Sequence, residues 1–175
     1  LVLTFCADFN RFNTCCRLRN AEPGYDNFQC FMWAVIDAVI ATQNACIAAE
    51  HYGLGICYMG TVTYNAHELI KLYNLPKGVV PVTCITIGYP LNNPELTDRL
   101  PLKAVIHHET YKDYRKEDID KMYFEKENSE LTKKLLEENQ LDNLAKVFTE
   151  RRYTKKDNVH FADLFLKVIK EQGFL

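Results

Sequence analysis

The 175 residues hold one serine, Ser129, and neither a Cys-x-x-Cys pair nor a Gly-Lys-Ser or Gly-Lys-Thr. Each lack removes a chemistry. Ser129 lies in a charged stretch and not in Gly-x-Ser-x-Gly, so there is no nucleophile elbow for serine hydrolysis. The missing Gly-Lys-Ser/Thr excludes a phosphate-cradling P-loop. Neither His67-Glu68 nor His108-Glu109 is followed by the second histidine of a zinc-protease helix. His107, His108 and Glu109 read as surface or interface groups, because neighbours on an extended segment point to opposite faces. No metal site is expected.

A formal net charge of −2 gives no overall basic field for nucleic acid or an anionic membrane, although Arg11, Arg17 and Arg19 cluster locally. No cationic stretch precedes LVLTFC, so it does not read as a signal peptide. The apolar run 31–52 is interrupted by Asp37, Gln43, Asn44 and Glu50, which makes it a poor membrane span. Seven cysteines, at 6, 15, 16, 30, 46, 57 and 84, are an odd set with most members inside apolar runs. That is a reduced, cytoplasmic inventory. Cys57 has no cation nearby in sequence and reads as a packed small side chain rather than a nucleophile.

What is present is ordinary globular material, 47% hydrophobic and 25% charged, sized for one domain over residues 1–175. LVLTFCAD reads as an interior strand covered on both faces, and with Leu1 already in it the chain is expected to begin in mid-domain. Residues 9–27 read as loop, with Pro23-Gly24 as a turn. FMWAVIDAVIATQNACIAAEHY predicts a helix over 31–52, a rod of roughly 33 Å. Its polar positions, 37, 44 and 51 with 43 and 50, fall on one narrow stripe, so the helix is expected to be buried nearly all round. In a chain this small, that scale of burial suggests a subunit interface as much as a private core. Residues 65–74 predict a further helix, PVTCITIGYP a strand, residues from Lys116 onward charged helices, and 161–172 a last helix.

Between the long helix and the next strand lies HYGLGICYMGTV. A dinucleotide fingerprint needs its glycines between a strand and the following helix, whereas these follow a helix and precede a strand. Gly53 reads as the left-handed residue past a helix end, and Gly55 permits the turn. Gly60 is placed where its missing Cβ lets a strand backbone approach a flat ring. The domain offers little side-chain machinery, which suits an enzyme whose cofactor carries the chemistry.

AVIDAVIATQNACIAAEHYGLGICYMGTV, then a short helix, PVTCITIGYP and NPELTDRLP, together resemble the FMN-dependent nitroreductase family in its NAD(P)H nitroreductase and flavin reductase branch. The opening strand with ADFNR and the terminal IKEQGF fit that resemblance. It implies an α+β fold, a mixed sheet flanked by helices, in an intertwined homodimer with one FMN at each subunit interface. It places the backbone amides of Tyr58, Met59, Gly60 and Thr61 against the flavin near N5, and Arg99 on the FMN phosphate. The family's companion lysine falls on Thr97, and its front helix with an Arg-Ser-x-Arg-like grip has no counterpart in these residues. The implied reaction is ping-pong: hydride from NAD(P)H to FMN, then to a nitroaromatic, a quinone or a free flavin. A flavin-binding protein without turnover and a structural dimer without flavin are the readings from other classes.

Overall fold

The computed structural model of the chain describes residues 1–92 and 96–175. Asn93, Pro94 and Glu95, the head of NPELTDRLP, lie outside the described residues. The chain divides into two compact units, Leu1–Asn92 with Val159–Leu175, and Asn93–Asn158.

The first unit is built on a sheet of β1 (Val2–Asp8), β2 (Gly55–Met59) and β3 (Val79–Gly88), in the order β1-β3-β2. Of the expected mixed sheet, the described residues hold three strands, all antiparallel. β3 is central, and its PVTCITI run supplies the β-branched residues that suit a pleat paired on both sides. β1 is therefore an edge strand among the described residues, with only Ala7 fully buried, not the interior strand its apolar run suggested. A bulge between Phe5 and Cys6 breaks its register. Phe5 lies opposite Thr83 and Cys6 opposite Pro81, so the extra residue is Val82 of β3, and Phe5 and Cys6 both line a cavity with Ala34, Ala38 and Ala41.

Those alanines belong to α2 (Phe28–His51), which crosses the sheet. Its start is capped by Asn27, whose side chain accepts from the Cys30 N–H at 3.1 Å. Its end is a Schellman motif: the Gly53 N–H donates to Glu50 O at 2.9 Å, and the Leu54 N–H to Ala49 O at 3.0 Å. Gly53 has φ +72°, the left-handed conformation expected of it. The expected all-round burial is not found within the chain. Phe31, Ala34, Ala38, Thr42, Cys46 and Ala49 are buried in one stripe at helical spacing, while Trp33, Ile36, Val39, Ile40 and Ile47 are about half exposed. One face packs on the sheet, and a second, equally apolar face has no partner among the described residues.

α1 (Asn10–Arg17) occupies part of the stretch expected to be loop. The sequence hides it, because Phe9 provides no side-chain cap and the first turn has no acidic residue. Tertiary contacts hold it instead: Phe9 stacks on Tyr25 at 5.5 Å and Phe12 meets the same ring edge-on at 5.2 Å. α3 (Ala66–Leu72) follows a 3-10 turn at Thr63–Asn65, and its Ala66 and Ile70 join the core of Ala7, Phe31, Ala34 and Val80. The Tyr73 and Thr4 hydroxyls, 3.3 Å apart, tie the end of α3 to β1. Core packing closes on Phe31, which meets Phe165 and Phe174 at centroid distances of 6.2 and 5.4 Å.

The second unit holds a 3-10 turn at Leu102–Ala104, α4 (Lys116–Glu127), α5 (Glu130–Asn139) and the short α6 (Leu144–Lys146) running into a π-helical segment at Val147–Arg152. These helices start on polar caps. The Asp118 carboxylate accepts from the Arg115 N–H at 3.1 Å, and Ser129 Oγ accepts from the Thr132 N–H at 3.1 Å. The last helix, α7 (Lys155–Glu171), begins six residues before the expected Phe161 because Thr154 pairs with Asp157 at 2.7 Å as a polar start signal.

Candidate functional site

β2 leaves α2 through Leu54 and runs Gly55–Met59 against β3, with Tyr58 opposite Ile85 and Met59 opposite Cys84. The strand ends one residue before Gly60, so Gly60 and Thr61 form a turn at its end rather than part of the strand. Tyr58 points to the α2 face, where its hydroxyl donates to Gln43 Oε1 at 3.1 Å. Neighbouring Cys46 and desolvation raise the Tyr58 pKa. By alternation Cys57 and Met59 turn to the opposite face. Both are exposed, so Cys57 is not the packed side chain expected of it.

β2 lies at the sheet edge, and neither the Gly60 nor the Thr61 N–H has a backbone acceptor among the described residues. Unpaired amides at a strand end are donors available to a ligand. A Cβ built on Gly60 meets nothing within 4 Å. The backbone is therefore open to close approach there. The turn itself is pinned from behind, since Thr61 O accepts from the Asn65 N–H at 3.3 Å and from Asn65 Nδ2 at 3.1 Å. Four of the five expected site residues, Tyr58, Met59, Gly60 and Thr61, thus form one continuous edge.

Arg99, the fifth, belongs to the second unit. Its Nη1 donates to Thr97 Oγ1, to Thr97 O at 3.3 Å and to Asp98 O at 3.0 Å. The Asp98 carboxylate is taken by Lys126 Nζ at 2.7 Å, a contact that holds the Asp98 pKa below the usual value. Among the described residues Arg99 therefore has no carboxylate partner. It lines a cavity of about 890 Å³ with Pro101, Lys103, Lys121, Met122 and Phe124. Thr97, on which the companion lysine of the resembled pattern falls, accepts from Arg99.

Lys126 was not singled out from the sequence, and nothing 28 residues away in the chain marks it as the partner of Asp98. His107 is also placed differently from an isolated surface histidine. It stacks on Tyr111 at 4.3 Å, and its Nε2 lies 3.2 Å from the Tyr114 hydroxyl. Tyr114 in turn donates to Ala104 O at 2.9 Å. The described residues gather no group of three or more His, Cys, Asp or Glu side chains fit to hold a metal ion.

A helix-flanked antiparallel sheet places the chain in the α+β class. A family model described as the nitroreductase family matches residues 25–89. A crystal structure from Bacteroides fragilis, named provisionally as an oxidoreductase, superposes with a TM-score of 0.97 at 49% identity, covering 99% of this chain and 71% of that one. The oxygen-insensitive NADPH nitroreductase of Salmonella typhimurium is 38% identical over 107 residues, 61% of this chain and 43% of that protein. The NAD(P)H FMN reductase of Bacillus subtilis is 40% identical over 111 residues, 62% of this chain and 45% of that protein. The chain belongs to the nitroreductase family. It spans about half the length of the curated relatives it matches.

Proposed function

We propose that the chain is part of an FMN-dependent oxidoreductase that passes hydride from NAD(P)H to a nitroaromatic, quinone or flavin acceptor in ping-pong order. The observation that carries this reading is the open edge at Gly60 and Thr61, whose two amides have no backbone acceptor among the described residues and one of which belongs to a glycine with nothing within 4 Å of where a Cβ would lie. The residues present fit a flavin. Within the first unit the amides offer hydrogen bonds to a ring edge and Gly60 lets the ring approach; Arg99, assigned to the phosphate by the family resemblance alone, has no carboxylate partner among the described residues. FMN, when bound, supplies the hydride chemistry. The chain's own residues orient it: Tyr58 anchors β2 to α2 through Gln43, Met59 presents its side chain on the open face, and the amide dipoles stabilise negative charge that develops beside them.

The exposed face of α2 supports a homodimer. Met32, Trp33, Ile36, Val39, Ile40 and Ile47 form an apolar surface of a kind that soluble monomers rarely leave open. By length and composition alone this helix would also cross a membrane. Its packing on the sheet through one face and its polar residues Asp37, Gln43, Asn44 and Glu50 favour a protein partner instead.

Replacing Gly60 with valine tests the proposal. The new side chain enters open space in the chain, so folding is expected to change by less than about 0.5 kcal/mol. The same side chain occupies the flavin's approach, so FMN affinity should fall at least about a hundredfold. Titration followed by flavin fluorescence quenching measures it. Equal affinities for the variant and the parent, or no saturable binding by the parent, reject this reading.

A further inference from the structure

The amides of Gly60 and Thr61 can be aimed only if something holds a backbone that glycine leaves free to rotate. On the N-terminal side the ladder does so, with Met59 opposite Cys84. On the C-terminal side the ladder has ended, and the chain turns at once into the core, with Val62 and Ala66 both buried. Between those two anchors the 3-10 turn Thr63–Asn65 is a fixed platform, because Tyr64 stacks on Phe161 of α7 at 4.1 Å. A single peptide, Thr61–Val62, joins this platform to the open amides. Its carbonyl is Thr61 O.

Asn65 holds that carbonyl twice, through its N–H at 3.3 Å and through Nδ2 at 3.1 Å. The first bond belongs to the turn, whereas the second is the choice of one side chain. Asn65 stands at the start of α3, where an asparagine ordinarily accepts from the first N–H groups of its helix, and it makes no such bond. Its amide reaches back as a donor instead. The side chain is exposed, so it fills no core. A residue that neither caps its helix nor packs, yet fixes the peptide beside the open edge, is placed to orient rather than to stabilise.

We propose that Asn65 is a positioning residue for the flavin edge, an inference that rests on the FMN reading above. By holding Thr61 O it limits the rotation left to the Gly60 and Thr61 peptides, so that both amides meet a ring in one orientation. Donors that must be ordered on binding cost affinity, and donors already fixed stabilise developing charge without reorganising. Negative charge on the ring is greater when FMN is reduced, so losing the aim weakens binding of the reduced form more than of the oxidised form. That difference lowers the reduction potential, by about 30 mV for each tenfold in the ratio of the two affinities.

The test compares the full-length protein with Asn65→Ala, which removes the donor, and Asn65→Ser, which keeps a shorter one. A hydroxyl in a helical turn reaches the carbonyl four residues back, as Thr42 Oγ1 does to Ala38 O at 2.7 Å. In the flavin-free protein, NMR order parameters of the Gly60 and Thr61 amides should drop in Asn65→Ala from about 0.85, typical of rigid backbone, toward 0.6 or below. Titration with FMN should show affinity for the oxidised form falling by about tenfold, and the potential of bound FMN falling by about 30 mV, the mark of a further tenfold loss for the reduced form. Asn65→Ser should recover part of each. Thermal unfolding of the flavin-free protein should stay close to that of the parent in both variants. A parent that binds no FMN rejects the proposed function, and this inference with it. A parent that binds FMN, beside an Asn65→Ala variant with unchanged order parameters or with lowered affinity at an unchanged potential, rejects the role of Asn65 alone.

Discussion

Residues Leu1–Asn92 with Val159–Leu175 bury Phe31, Val80, Ile85, Ile169 and Phe174, whereas the described part of Asn93–Asn158 buries only Thr132, Leu144 and Val147. The ion pairs run the other way. Six link residues of the second unit: Arg115–Asp118, Lys116–Asp120, Lys126–Asp98, Lys133–Glu130, Lys134–Glu138 and Lys146–Asp142. Exposed pairs of this kind contribute about 0–1 kcal/mol each, while one large buried side chain contributes several times that. The first unit is thus held by apolar burial around a sheet. The second is held by caps, local pairs and a small apolar nucleus, and it is expected to respond more to pH and salt.

Truncation of Phe174 breaks the comparison most directly. Phe174 is 1% exposed and packs on Phe31, so Phe174→Ala is expected to cost about 3–5 kcal/mol. Val147, fully buried in the second unit, has less to lose, and Val147→Ala should cost at most about 1.5–3 kcal/mol. Denaturant unfolding of both variants measures the difference. Equal costs would mean that the second unit has a core as cohesive as the first.

The surplus apolar face of α2 gives the next largest effect. Ile40 is 56% exposed within the chain, so Ile40→Glu should leave the fold intact. In a dimer the same carboxylate would be buried without a partner, at a cost of about 3 kcal/mol or more. Sedimentation should then show the parent as a dimer and the variant as a monomer at micromolar concentration. A parent that sediments as a monomer removes the dimer from the proposed function.

Arg99 tests whether the second unit contributes to cofactor binding. A charge-assisted contact to phosphate contributes roughly 1.5–3 kcal/mol. Arg99→Ala should therefore weaken FMN binding about 10- to 150-fold. Arg99→Lys should recover part, since an ammonium keeps the charge and loses the fork. An unchanged affinity leaves Arg99 as a solvated side chain held by Thr97 and the Asp98 carbonyl.

Much of the first unit was legible in the sequence because its signals are local. A left-handed Gly53 after an alanine-rich helix, a β-branched PVTCITI and an apolar LVLTFC each announce their element without reference to the rest of the chain. What escaped depends on neighbours. An apolar strand looks the same at the centre or the edge of a sheet, so β1 read as interior. α1 has neither cap nor acidic first turn and exists through Tyr25. In α2 the periodicity showed how much of the surface is apolar but not which stripe the chain itself covers. The site divides in the same way. The glycines mark the backbone edge at Tyr58–Thr61, whereas the pairing of Asp98 with Lys126, which leaves Arg99 without a carboxylate among the described residues, joins residues 28 apart and has no local trace.

Acid sharpens the comparison with the smallest effect and the clearest sign. In the second unit Asp98, Asp118 and Asp142 all have lowered pKa values: Asp98 through Lys126, Asp118 through the Arg115 N–H, and Asp142 through Lys146. A carboxylate whose folded pKa lies below its unfolded value of about 3.9 adds stability that is fully present above that value. The contribution is lost as pH falls through the folded pKa. In the first unit Cys6 shifts the other way, raised by burial and by Asp8, and acid leaves it as the thiol it already is. Lowering the pH from about 5 toward 3 should therefore raise amide hydrogen exchange in α4, in α5 and at the Asn143 cap of α6 before it does so in β3 or α2. Asp98→Asn, Asp118→Asn and Asp142→Asn combined should flatten that response, because three proton-linked contacts are gone. Salt should mimic the variant in part, since exposed pairs are screened over about 10 Å at 0.1 M. Exchange that rises first in the sheet, or a triple variant with an unchanged acid response, would show that the second unit is held by something other than its charges.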